Sequence, residues 1–158
     1  MTNKISRKKS RKFLFQKLFS DSYAKTDQSD FRDSFLIDSF RDNLDDKYLE
    51  EMEKLIKEKE LYLIELIKMY APKFEPENMS LTYVIPIFIW ATEMLYLSEE
   101  IPAKVSMNEA IEIAKVYWDE SAKKIVNWVL NNLYKNYDEI SKKLDSTNFD
   151  NDFSFFKK

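Results

Sequence analysis

Between Ile101 and Leu130 the chain reads IPAKVSMNEAIEIAKVYWDESAKKIVNWVL, and few backbone arrangements accommodate that order. Pro102 fixes its own φ and disfavours helix at Ile101, so a preceding helix is expected to end near Glu99 or Glu100. Ser106, with Glu109 three residues on, has the form of a capping box and predicts a helix start there. Behind it Ala110, Ile111, Ile113, Ala114 and Tyr117 recur at helical spacing, leaving Glu109, Glu112 and Lys115 on the wet side. A second start at Asp119 to Ser121 leads into one apolar stripe of Ile125, Val126, Val129, Leu130 and Leu133. The stretch is therefore read as two successive amphipathic helices that pack into a core.

Length and composition narrow the remainder. At 158 residues one domain with a real core is expected. With no Cys there is no disulfide framework, thiolate zinc site or cysteine nucleophile, and with no His the commonest metal ligand and general base are gone too. Glycine is also absent, which excludes phosphate-cradling loops of the G-x-G-x-x-G or Walker type. The most apolar run, Val84 to Leu97, is too short to span a bilayer, and no signal peptide opens the chain, so a soluble, cytoplasmic protein is expected.

Charge is distributed unevenly. Up to Ser20 there are seven bases (Lys4, Arg7, Lys8, Lys9, Arg11, Lys12, Lys17) and no acid, whereas the whole chain has 25 bases and 28 acids. The remainder thus holds 18 bases against 28 acids, a net of −10. A basic front end on an acidic body points to a local polyanion site. Arg7, Arg11, Leu14 and Leu18 share one helical stripe, so the bases are expected on a helix anchored in the core by Leu14, Phe15, Leu18 and Phe19.

The signature segment resembles that of the NusB family of bacterial transcription antitermination factors, whose pattern runs I-P-x-K-V-x-x-N-E-A-[IV]-E-[IL]-A-K and then V-N-G-V-L. Ile101, Pro102, Lys104, Val105, Asn108 to Lys115, Val126, Asn127, Val129 and Leu130 carry the match. The N-terminal R-K-K-S-R-K-F-L-F-Q-K-L-F is similar to the family's arginine-rich first helix, with Gln16, Leu18 and Phe19 in place. Trp118 and Trp128 stand where the family pattern has glycine, and Trp90 where it has a small residue. A UGA codon that the organism reads as glycine, translated as tryptophan, would leave this pattern; UGG codons at 118 and 128 would exclude it.

The resemblance implies an adaptor that holds boxA, a short single-stranded RNA of ribosomal RNA leaders, together with the ribosomal protein NusE in the RNA polymerase elongation complex. Implied RNA contacts are Arg7, Lys8, Lys9 and Arg11 to phosphates, with Phe19, Lys104, Ser121, Lys124 and Ile125 nearby. Ile125 replaces an aromatic common in the family, and Phe88 replaces an arginine near the partner face. Glu93, read from its surroundings alone, is a surface position on the polar edge of its helix; the resemblance instead implies contact with NusE. No cofactor or catalytic residue is expected. The alternatives are a diverged helical interaction module without RNA specificity, or an RNA-binding domain related to those fronting ribosomal RNA cytosine methyltransferases.

Elsewhere the pattern gives helices with fewer distinguishing marks. Phe31, Phe35, Leu36, Ile37 and Phe40 suggest a short helix capped by Ser29 or Asp30, and Leu49 through Tyr70 mark one long amphipathic helix from Asp45. Pro72 and Pro76 mark a loop from Ala71 to Asn78, after which Asn78 or Ser80 caps a helix to about Ser98. Pro86 should kink that helix or move its start later. Tyr137 to Leu144 extends or follows the last signature helix. The fold expected is all-α, about seven helices in two packed small bundles, as a single domain over 1–145 with a flexible tail over 146–158.

Overall fold

In the computed structural model the described residues are 7–22, 44–73, 75–76, 79–97, 102–114, 120–142 and 156. They form seven helices and no strand: α1 (Arg7–Asp21), α2 (Asp46–Glu58), α3 (Glu60–Tyr70), α4 (Leu81–Tyr96), α5 (Ala103–Ala114), α6 (Glu120–Lys135) and α7 (Tyr137–Lys142). The helix expected around Phe31 to Phe40 lies outside the described residues.

Helix α4 is the hub, packing against α1, α2, α3, α5 and α6. Its sequence explains the role, since every residue from Val84 to Met94 is buried and a helix apolar all round has no face to give to water. Trp90 is among the largest fully buried side chains, at 0% exposure, where a glycine would leave an indole-sized void. The first three helices and the last four contribute to one continuous core. In α6 the expected stripe is realised, with Val126, Val129, Leu130 and Leu133 all at 0% exposure.

Local expectations are corrected at three points. The helix from Asp45 to Tyr70 is broken at Lys59, whose φ of −102° and ψ of 13° leave the helical region. Neither proline nor glycine marks the break; beyond it the buried face widens from Tyr48, Leu49, Met52 and Ile56 to include Tyr62, Leu63, Ile64, Leu66 and Ile67. Second, of the two outcomes expected at Pro86 the later start is excluded: α4 begins at Leu81 and runs through the proline, forgoing the hydrogen bond that residue 86 would have donated to the Thr82 carbonyl. Third, α5 starts at Ala103 directly after Pro102, so Ser106 lies inside the helix rather than capping it. Its backbone N–H donates to the Pro102 carbonyl at 3.1 Å, and its buried hydroxyl has no hydrogen-bond partner. Phe156, the described residue of the segment expected to be a flexible tail, is buried in the core with its ring edge-on to Phe88 at 6.5 Å.

Candidate nucleic-acid interface

Helix α1 carries the basic strip, and the core sorts its cations into two groups. Those on the stripe with Leu14 and Leu18 are drawn inward. Arg11 is 4% exposed and clasps Glu93 of α4: Nε donates to Oε2 at 2.9 Å and Nη2 to Oε1 at 2.7 Å. The Tyr48 hydroxyl of α2 donates to the same Oε2 at 2.9 Å, and Glu109 of α5 stands 3.7 Å from Arg11 Nη1. Burial alone would lower the Arg11 pKa, but the hydrogen bond and charge of Glu93 reverse that and hold the guanidinium ionised above its ordinary range. Burial pushes the Tyr48 hydroxyl pKa well up, and the negative Glu93 pushes it further, so the phenol keeps its proton to donate.

Arg7 is tied less tightly. Its Nε and Nη2 donate to Asp45 Oδ2 at 3.3 and 3.0 Å, and its guanidinium lies 4.5 Å from the centre of the Tyr48 ring. Asp45 is the N-cap of α2, its Oδ1 accepting from the Tyr48 N–H at 3.1 Å while its own N–H donates to Ser10 Oγ at 2.7 Å. One carboxylate thus caps α2 and moors α1. A side-chain exposure of 32% leaves Arg7 partly accessible to a ligand.

Further along α1, Lys17 at 1% exposure donates from Nζ to Asp21 at 2.6 Å and to Glu53 at 3.0 Å. Lys57 reaches the same two carboxylates at 2.7 and 3.0 Å, closing a square of two cations and two anions between α1 and α2. Burial would raise the Glu53 pKa, yet hydrogen bonds from Lys57 and Lys17 bring it below the usual carboxylate value. For Lys57 burial lowers the pKa, and Asp21 and Glu53 more than restore it.

The other cations expected at the strip lie nearer the surface. Lys8 is exposed, Lys9 and Lys12 are half-buried, and Phe19 is half-buried with its ring stacked on Phe15 at 6.3 Å. Lys104 near the start of α5 and Lys124 in the second turn of α6 are both exposed. Helix α5 packs against both α1 and α6, so the three helices that carry these lysines are neighbours. Ser121 and Ile125 fall in the first turns of α6, and their side chains lie outside the described residues.

Glu93 requires a correction. The surface position read from its neighbours is overturned, because its carboxylate is at 0% exposure and all its described contacts run to Arg11 and Tyr48. Arg11, expected among the phosphate contacts, is placed inside the fold as its counter-ion. Sequence reasoning also missed Asp45 and Tyr48 as the groups that organise the strip. The sequence marked Asp45 only as the start of a helix, and nothing in it showed which arginine that aspartate would meet.

A family model described as the NusB family matches residues 8–135. The transcription antitermination protein NusB of Clostridium acetobutylicum is 33% identical over 135 residues, covering 85% of this chain and 99% of that protein. The protein of the same name from Bacillus licheniformis is 32% identical over 133 residues, covering 84% and 96% respectively. A solved structure of T. maritima NusB superposes with a TM-score of 0.69 at 27% identity, covering 89% of this chain and 99% of that one.

Proposed function

The chain belongs to the NusB family, and from that premise we propose that it is a transcription antitermination factor acting as a non-enzymatic adaptor. In this reading it takes boxA-type single-stranded RNA of ribosomal RNA operons together with the ribosomal protein NusE, within the RNA polymerase elongation complex. The observation that carries the RNA half is the exposure of Lys8, Lys104 and Lys124 on α1, α5 and α6, with α5 packed against each of the other two. A flexible, unpaired strand can follow such a cationic track while its unstacked bases stay available for recognition.

The roles divide by exposure. Lys8, Lys9 and the half-exposed Arg7 would meet phosphates, with Lys104, Ser121 and Lys124 continuing the track across α5 and α6. Phe19 and Ile125 would flank it. Arg11 is assigned a positioning role, holding α1 against α4 through Glu93 so that the outward lysines keep their spacing. Glu93 would in turn shape the α4 surface offered to NusE from beneath. RNA and protein improve each other's binding by linkage if both select this one arrangement of α1 on α4.

Titration of the chain against boxA-like and scrambled RNA, with and without NusE and at two salt concentrations, tests the reading. A preference for boxA that NusE strengthens is expected. Equal and strongly salt-sensitive binding of both RNAs would reduce the strip to a non-specific polyanion patch, and binding of NusE without RNA preference would favour a helical protein-interaction module.

A further inference from the structure

Trp128 departs from the economy of the core. It lies in the middle of α6, yet 42% of it is exposed, while its helical neighbours Val126, Val129 and Leu130 are all at 0%. Around it the outward stripe of α6 comprises Lys124, Trp128, Asn131 and Lys135, spaced by four, three and four residues, and all four are exposed. At that spacing they lie one above another on a single face. None of these four described side chains is acidic, although the chain carries 28 acids against 25 bases. Asn131 Nδ2 donates to the Asn127 carbonyl one turn back at 2.9 Å, which ties the amide beside the indole down along the helix.

A cation on either side of an exposed indole is the arrangement that serves a single-stranded nucleic acid: phosphates are held at the flanks and a base face lies on the ring. The charge sign excludes a cationic partner, and one ring between two charged and one amide neighbour is too polar for an apolar helix to dock. The geometry points to Trp128 as a base-stacking platform that extends the RNA track along α6 from Lys124 towards Lys135. The inference rests on the RNA-binding reading above and adds to it a residue and a direction. It also supplies an aromatic to the helix one turn beyond Ile125, the position at which the aromatic common in the family is missing.

The test compares the full chain with Trp128→Ala, Trp128→Phe and Lys135→Ala, using short single-stranded RNA and measuring the salt dependence of each affinity. Trp128→Ala is expected to weaken binding on the order of ten-fold with the salt slope unchanged, because stacking releases no counterions. Trp128→Phe should recover most of that loss, and Lys135→Ala should flatten the slope. Photo-crosslinking of RNA to the unaltered chain, with the adduct mapped to the peptide holding Trp128, gives a readout independent of any variant's folding. RNA binding by the unaltered chain with no loss in Trp128→Ala and no adduct at that peptide overturns this inference alone, as would a UGA codon at 128 read as glycine. No RNA binding by the unaltered chain overturns the reading on which it rests. Loss of NusE affinity in Trp128→Ala, with RNA affinity kept, would make the face a protein contact and overturn the inference.

Discussion

Arg11 and Glu93 meet through both prongs of the guanidinium and both carboxylate oxygens, at 2.9 and 2.7 Å, with each side chain shielded from water. The pair joins the basic helix to the hub helix. Removing one member leaves the other buried without its bidentate partner, which costs about 3–5 kcal/mol. Arg11→Ala and Glu93→Ala should each lower stability by that amount in urea unfolding. Arg11→Met combined with Glu93→Leu should recover much of the loss. A single variant of wild-type stability would mean the pair is not formed.

Tyr48→Phe isolates the third member. The ring stays to pack against Arg7, while Glu93 Oε2 loses a donor. A drop of about 1–3 kcal/mol is expected, the range for a buried acceptor deprived of one partner. Thermal unfolding at neutral pH reads it.

Stability should fall on both sides of neutrality. On the acid side, burial would raise the Glu53 pKa, but Lys57 and Lys17 bring it below 4.5, so its contribution is present above that value and lost as pH drops through the folded-state pKa. On the alkaline side, Tyr48 is pushed above 10.0 by burial and then by Glu93; the unfolded chain releases that proton first, so stability declines as pH climbs from 10.0. Lys57, raised above 10.5 once Asp21 and Glu53 outweigh its burial, has the same sign. Urea midpoints across the pH range are expected to show this plateau with two falling limbs. An alkaline limb no shallower in Tyr48→Phe would remove the phenol from its cause.

Lys8, Lys104 and Lys124 should behave oppositely to Arg11. Each is exposed, so alanine at any of them is expected to change stability by no more than about 0.5 kcal/mol. Each should instead weaken RNA binding and reduce the salt slope by about 0.7. Isothermal titration at several salt concentrations separates the two classes, and a lysine variant with an unchanged slope lies off the RNA track.

Trp90→Ala tests the hub. The indole is wholly buried in α4, and its removal should cost about 3–5 kcal/mol, enough to unfold a marginal domain. Circular dichroism across a thermal ramp would show it.

What the sequence disclosed follows from how far each signal reaches. The stripes of α6 and the core face of α1 were legible because Val126, Val129, Leu133, Leu14 and Leu18 announce their burial by spacing alone. The break at Lys59 was not, because it answers to packing beyond the helix and carries no proline or glycine. Arg11 was placed outward by resemblance although it shares the stripe of Leu14 and Leu18, and Glu93 by its charge although it sits inside the apolar run from Val84 to Leu97. A charged residue on an apolar stripe implies a buried counter-charge, and here the two orphans belonged to each other. The Ser106 and Glu109 pattern failed because Pro102 starts the helix a turn earlier, and Glu109 then faces Arg11.

The distance between Arg11 and Glu93 along the chain has a consequence for a protein made from its N-terminus. Their separation is 82 residues, which translation covers in roughly 4 to 16 seconds. Throughout that interval the first helix lacks the partner that draws Arg11 inward. Until Glu93 is made, that guanidinium has no bidentate counter-ion. Arrival of α4 draws that arginine inward and leaves the outward Lys8 to face solvent.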